Sequence, residues 1–332
     1  MKIIDEPFII AEIGANHNGN LELAKKTILA AKKAGCDAVK FQSWDENLFS
    51  EDFYKKNQST YKQIKKYKTD FKNMKILRYF SAKNKIKFGT AVFDKKQLEE
   101  ALKIKCDFIK IASMDINNTY LLNLVSNIKN LTIISTGTGS EKEITKAAKI
   151  FHKSKKKNVI FLHCISLYPP KKLELMNLNN IVSLKKITKF QTGYSDHSTL
   201  TEVPLIAASL GAKVIEKHFT LDKKMSGWDH SISADPKEME KLVKSTKLCR
   251  SLLGSYKRSI SKEEKQLSRV MRRGIYVSKQ IKKGQKFNDK NIILQRPETK
   301  LSASFYSKII GKKSKQDLNV NSELKNKNIN KR

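Results

Sequence analysis

The sequence predicts an α/β fold, a (β/α)8 barrel followed by a small β-rich module. Three observations carry this expectation. Eight short apolar segments recur before residue 254, each followed by a helical pattern, and eight strand–helix units in roughly 250 residues are what such a barrel needs. The predicted strands end in polar or ionisable residues, as expected where strand ends line a site. No Gly-rich phosphate loop follows the first strand, which weighs against the alternative, a doubly wound open sheet.

The predicted strands are 8–13, 38–43, 87–93, 108–113, 132–137, 159–166, 190–195 and 214–220. The first helix has Asn20 as its cap, an apolar stripe of Leu21, Ala24, Ile28 and Ala31, and Gly35 as its stop. After Ser43 the connection is oversized, running from Trp44 through a polar, tyrosine-bearing stretch to a helix near 71–84. A long loop on the strand-end rim reads as a lid. Between Gly193 and Thr220 the chain runs strand, crossover helix, strand. Ser195 and His197 are two apart, as are Glu216 and His218, so each pair shares a strand face. Parallel strands joined by a helix bring both ends to one rim. The eighth helix opens at Asp235-Pro236 with Glu238 as capping-box acid and runs to about Leu253.

The expected domains are a catalytic barrel over 1–254, a polar, charged linker over 255–270 and a small module over 271–329. Within the module, the run Lys279–Ile292 is echoed by Gln316–Ile329, an internal pseudo-repeat. So small a module predicts packing against something larger.

The net charge of +35 invites a nucleic-acid reading. The excess is mostly lysine spread from end to end, with no basic stripe interleaved with aromatics. Solvated lysine faces explain it better, and no specific nucleic-acid partner is expected. No apolar run is long enough to span a membrane. The scattered Cys36, Cys106, Cys164 and Cys249 suit buried thiols in a reducing cytoplasm.

Lys40 and Lys110 sit between apolar neighbours in strands. A buried lysine is costly unless an anion or a carboxylate pairs with it, and Glu12 or Glu216 is the internal candidate. Five of the six histidines, His17, His163, His197, His218 and His230, fall on strand ends or the loops after them. Hydroxyls at the fourth and fifth strand ends are helix caps or, beside two lysines, a phosphate cradle. Lysines and hydroxyls on one arc, with histidines and acids on the other, suit a phosphorylated anion beside a metal-bound oxygen electrophile.

At these residues the chain resembles the phosphoenolpyruvate-dependent sialic acid synthases. The match includes Glu-Ile-Gly-Ala-Asn-His-Asn-Gly, Val-Lys-Phe-Gln, Lys-Ile-Ala-Ser, Ser-Thr-Gly, His-Cys-Ile-Ser-Leu-Tyr-Pro, Gly-Tyr-Ser-Asp-His and Glu-Lys-His-Phe-Thr. It covers almost the whole chain, and the C-terminal module resembles the antifreeze-like SAF domain.

The resemblance implies condensation of phosphoenolpyruvate with an open-chain N-acetylated hexose, with phosphate released by C–O cleavage. It implies Mn2+ or Mg2+ held at His197 and His218. By position, Lys40, Thr90, Lys110, Ser113, Ser135, Ser166, Tyr168 and Ser195 match phosphoenolpyruvate contacts. Glu12, Gln42, Asp115 and Asp229 match residues that touch the sugar or assist proton transfer. Arg296 matches an SAF-domain arginine that reaches the partner subunit's site, which implies a domain-swapped homodimer.

Three departures from the family pattern are visible. Ser166 stands where some members carry asparagine. Arg296-Pro297-Glu298-Thr299-Lys300 replaces Arg-Pro-Gly-x-Gly, and Gly227-Trp228-Asp229-His230 replaces a common Gly-Pro-Asp. The last of these loops faces the sugar, so the acceptor is N-acetylmannosamine or a 2,4-diacetamido-trideoxy hexose giving legionaminic or pseudaminic acid. Two other readings compete. A pyruvate-dependent aldolase predicts a Schiff-base lysine or turnover without phosphate release; a non-enzymatic polyanion binder predicts no turnover.

Overall fold

A computed structural model describes residues 6–330. The chain divides into two compact units, one running to Gly254 and the other starting at Ser255.

In the first unit, eight parallel strands close into a barrel: β1 (Phe8–Glu12), β2 (Ala38–Gln42), β3 (Lys87–Ala91), β4 (Phe108–Ile111), β5 (Leu131–Ser135), β6 (Val159–Cys164), β7 (Gln191–Asp196) and β8 (Val214–His218). Closure comes from β1 pairing with both β2 and β8. The predicted strands match these within a few residues, chiefly because strand pairing stops before the rim residues. Alternation along each strand divides two cores. Ile10, Phe108, Ile133, Ile160, Leu162 and Val214 fill the barrel interior. Their neighbours, such as Ile9, Ile109, Ile134, Phe161 and Ile215, pack outward with the helices. The hydrophobic filling stops partway up the interior, and the next inward positions are the polar rim residues.

The helix caps follow the sequence. Asn20 accepts from Leu23 N at 2.9 Å at the start of Leu21–Lys33. Asp235 and Glu238 form a reciprocal capping box at the start of Pro236–Leu253. The connection after β2, read as a loop, is instead mostly helical, with helices Glu51–Lys56 and Gln58–Tyr67. Tyr54, Ile64 and Tyr67 bury their side chains with Trp44 and Ala15 in a separate small cluster, which gives these helices a tertiary reason to form.

The second unit begins with a correction: the stretch read as a linker contains a ten-residue helix, Lys262–Met271, capped by Ser261. Beyond it, β9 (Gly274–Val277) pairs antiparallel with β10 (Ile292–Gln295). The module has its own core, which includes Ile275, Ile281, Phe287, Leu318 and Leu324. The two copies of the pseudo-repeat meet at equivalent residues. Ile281 N donates to Leu318 O at 3.0 Å, and Leu318 N donates back to Ile281 O at 2.8 Å.

The cysteines Cys36, Cys106, Cys164 and Cys249 are free and buried. Among the described residues no helix is long and apolar enough to cross a membrane.

Candidate active site

The carboxyl-terminal rim of the barrel opens into a cavity of 530 Å³, and all eight strands contribute to its wall. Because β7 and β8 alternate, Ser195, Glu216 and His218 face inward, and His197 follows on the same side.

At the cavity base, two buried lysines meet two buried carboxylates. Lys40 Nζ lies 3.1 Å from Glu12 Oε2 and 3.3 Å from Glu216 Oε2. Lys110 Nζ donates to Glu216 Oε1 at 3.3 Å, and Ser195 Oγ donates to the same oxygen at 2.9 Å. The internal pairing expected for the lysines therefore exists, with both acids taking part. Burial pushes the Glu12 carboxyl up to about 7, against the pull of Lys40. For Glu216 burial is outweighed by Lys110, Lys40 and Ser195, which hold it well below the usual carboxylate range. Burial lowers Lys110, whereas in Lys40 Glu12 and Glu216 overcome burial and raise it. When Glu12 holds a proton, two ammonium groups face one carboxylate, a surplus positive charge suited to an anion.

Beside the lysines is an arc of hydroxyls. Ser113 Oγ accepts from Gly137 N at 3.1 Å. A Cβ at Gly137 would lie 2.9 Å from Ser113 Oγ and 2.4 Å from Ser166 Oγ, so both serines close over this glycine. Ser135 Oγ is buried without a hydrogen-bond partner. Hydroxyls and two lysines make a donor set for phosphate.

The opposite arc holds the histidines. His197 Nδ1 donates to Ile165 O at 2.8 Å, leaving the Nε2 lone pair free to bind. The ring centroids of His197 and His218 are 5.4 Å apart, and the Tyr168 ring lies 4.0 Å from that of His197. Burial and the neighbouring His197 keep His218 neutral. His218 Nδ1 is buried with no hydrogen-bond partner, and Asp229 Oδ2 lies 3.5 Å from it. In His197 burial is outweighed by Cys164, the Ile165 carbonyl and Glu216, which raise it; the neutral His218, with its unsatisfied Nδ1, suits a divalent ion. Among the described residues no group of three or more His, Cys, Asp and Glu forms a complete ligand set. The protein's share would be the two imidazoles, with water and substrate completing the shell.

Acids gather near Gly14, whose φ is +50°. A Cβ there would lie 3.2 Å from both Gln42 Nε2 and Glu12 Oε1 and 3.7 Å from Asp229 Oδ2. Gln42 Nε2 donates to Glu12 Oε1 at 2.5 Å.

Of the site residues expected from sequence, Glu12, Lys40, Gln42, Lys110, Ser113, Ser135, Ser166, Tyr168, Ser195, His197 and His218 line the cavity. Thr90 does not. It is fully buried, with its hydroxyl 2.7 Å from that of Ser43. Asp115 lies in a turn over a separate 230 Å³ pocket and accepts from Asn118 Nδ2 at 3.0 Å. Arg296 is exposed in the second unit. The five rim histidines divide by role. Besides His197 and His218, His17 binds Gly19 N, His163 donates to Met176 O, and His230 meets Thr220. Those three fasten loops.

Glu216, read from sequence as a lysine partner and as the oxygen-bearing residue two before His218, is the hub of the base. Sequence reasoning also missed Cys164, whose Sγ lies 3.9 Å from His197 Nδ1, and the meeting of Trp44 with Trp228 of the loop expected to face the sugar, 5.7 Å apart by centroid. The position of Trp44, just after β2, was the available signal.

A larger cavity, 760 Å³, opens at the amino-terminal ends of β5–β7. Its buried lysine, Lys156, is committed to the carbonyls of Ile128 and Asn130, and none of its lining residues has an unpartnered buried side-chain atom. The rim cavity is therefore the candidate site.

Comparison with known proteins agrees with this geometry. The NeuB family profile matches residues 27–258, and the SAF domain profile matches residues 272–328. The chain is 38% identical to a pseudaminic acid synthase of Campylobacter jejuni, over 96% of this chain and 95% of that one. It is 36% identical to an N,N'-diacetyllegionaminic acid synthase of Campylobacter jejuni, over 92% and 94% respectively. Among solved structures, an N-acetylneuraminic acid synthetase from Leptospira borgpetersenii in complex with citrate superposes with a TM-score of 0.74 at 39% identity, covering 79% of this chain and 90% of that one.

Proposed function

The chain belongs to the NeuB family, a family of synthases, and on that footing we propose that it joins phosphoenolpyruvate to an open-chain N-acylated amino hexose. The product is a nine-carbon sugar acid, and phosphate is released. The observation that carries this reading is the division of the cavity: Lys40, Lys110 and the serine arc on one side, His197 and His218 on the other, with Asp229 3.5 Å from His218.

In the proposed reaction, C3 of phosphoenolpyruvate attacks the sugar aldehyde carbon, and a C–C bond forms. The aldehyde oxygen takes a proton and becomes a hydroxyl. Water adds to the cationic C2 and loses a proton, and the C–O bond to phosphate then breaks. Lys40 and Lys110 hold the carboxylate and phosphate charge, with Ser113, Ser135, Ser166 and Ser195 orienting the oxygens. Glu12, poised near neutrality, exchanges the proton at the sugar oxygen or the attacking water. A divalent Mn2+ or Mg2+ at His197 and His218 supplies Lewis acidity toward the aldehyde. Arg296 of one subunit would reach the sugar bound by the other in a homodimer.

Two acceptors are open, N-acetylmannosamine and a 2,4-diacetamido-trideoxy hexose. The second is favoured by the names of the Campylobacter relatives and by Trp228 in the sugar-facing loop. A Schiff-base aldolase is disfavoured by the relatives' names, which are those of synthases.

The test is phosphate release from phosphoenolpyruvate with Mn2+ or Mg2+ and a panel of sugars: N-acetylmannosamine, its 6-phosphate and the diacetamido-trideoxy hexoses. Release with a diacetamido sugar, abolished by chelator and by the double variant His197→Ala/His218→Ala, is expected. Silence with every sugar, from folded and metal-loaded protein, overturns the reading.

A further inference from the structure

We propose that the indole N–H of Trp44 is a substrate donor. It binds the carbonyl oxygen of an N-acyl group on the sugar, while the surrounding wall houses the acyl methyl. This inference rests on the reaction proposed above and adds to it a subsite on the barrel itself.

The chain has two tryptophans, and both line the cavity. They are in different states. Trp228 Nε1 donates to Gln63 Oε1 at 2.6 Å, which ties the loop after β8 to the helix Gln58–Tyr67. Trp44 is 7% exposed, and its Nε1 is buried with no hydrogen-bond partner. A buried donor left unpaired costs about 1–3 kcal/mol. In a cavity wall, a bound acceptor removes that cost.

The surroundings choose among acceptors. Indole N–H donates and cannot accept. Leu48, Ile64 and Phe93 belong to the small cluster that holds Trp44, and Phe49 lines the same cavity; the hydroxyls of this region are those of Tyr54, Tyr61 and Tyr67 in the cluster and Thr60 on the cavity wall. A sugar hydroxyl here would satisfy the indole but bring no apolar group to the surface of Leu48, Phe49, Ile64 and Phe93. A phosphate would lose contact with the lysines and serines of the other arc. An N-acyl group brings a carbonyl acceptor and a methyl together, and matches both features. The subsite therefore selects acylated amino sugars. A hexose with two acyl groups and a deoxy carbon offers this wall more apolar surface than N-acetylmannosamine does.

With only two tryptophans, the site can be watched without relying on turnover. Protein labelled with 15N-tryptophan gives two indole signals, assigned with Trp228→Phe. The probe is the alditol of whichever panel sugar releases phosphate, which cannot react because it lacks the aldehyde. Added with phosphoenolpyruvate to Mg2+-loaded protein, it should move the Trp44 indole proton downfield and leave the Gln63-bound Trp228 signal nearly in place. In kinetics, Trp44→Phe should raise KM for the sugar about 10-fold, the loss of one hydrogen bond, and leave KM for phosphoenolpyruvate unchanged. A static Trp44 signal at saturating alditol, or an unchanged sugar KM in Trp44→Phe, overturns the subsite while turnover by the unaltered enzyme upholds the reaction. No turnover with any sugar overturns both.

Discussion

Asp196 and Lys217 are register partners across β7 and β8, and their side chains meet at 2.7 Å on the outer face of the barrel. Each immediately precedes one of the two cavity histidines. Lys217 Nζ also donates to Ser198 O, and Asp196 Oδ1 accepts from Ser198 N at 2.9 Å. The pair thus clamps the backbone on both sides of His197 from behind, where strand alternation keeps it out of the cavity.

This clamp predicts a stability effect with a specific rescue. Lys217→Met leaves the buried Asp196 carboxylate without its cation, a loss on the order of 3–5 kcal/mol. The double variant Asp196→Leu/Lys217→Met removes the stranded charge and should recover most of it. Thermal melts of the three proteins decide the point. Equal losses in the single and double variants would mean that a stranded Asp196 charge is not the source of the loss.

Ser135 predicts the reverse pattern, a functional cost without a structural one. Its hydroxyl has no partner within the protein, so Ser135→Ala should leave stability unchanged or raise it, by at most about 1–3 kcal/mol. If phosphoenolpyruvate supplies the missing partner, KM for it should rise about 10-fold. Thr90→Val is the control, since that hydroxyl is already engaged by Ser43 and lies off the cavity wall. A loss of phosphoenolpyruvate affinity in Thr90→Val equal to that in Ser135→Ala would remove the distinction drawn between them.

Those two hydroxyls also show what a sequence can and cannot display. Both sit near strand ends, and the barrel itself was legible because strand periodicity, caps such as Asn20 and Asp235, and polar strand ends all agree. Which hydroxyl stays free depends on Ser43, a neighbour across strands, and no spacing along the chain reveals it. The helices after β2 escaped notice because Tyr54, Ile64 and Tyr67 are diluted by lysines. Their apolar face exists only once Trp44 and Ala15 meet it. The helix Lys262–Met271 buries no residue in the described structure and so presents no core stripe to read. The role of Glu216 was within reach, since it shares a face with His218, but its two lysines come from β2 and β4.

Glu12 and Glu216 share Lys40 yet titrate in opposite directions, which gives a pH prediction with a definite sign. Burial raises Glu12 from its ordinary 4.5 to about 7, so the folded protein holds that proton more tightly than the unfolded chain. Its contribution to stability is full below pH 4.5 and is lost as pH climbs through about 7. Glu216, held low by Lys110 and Lys40 against burial, contributes above its ordinary range and loses that contribution as acid protonates it. Glu12→Gln keeps the shape and the neutral form, so it should remove only the loss on the alkaline side. Relative to the unaltered protein, the variant's melting temperature should rise between about pH 5 and pH 8, by an amount corresponding to the order of 3 kcal/mol. A difference that stays constant across that window would place the Glu12 titration elsewhere and remove it as the group that exchanges protons near neutrality.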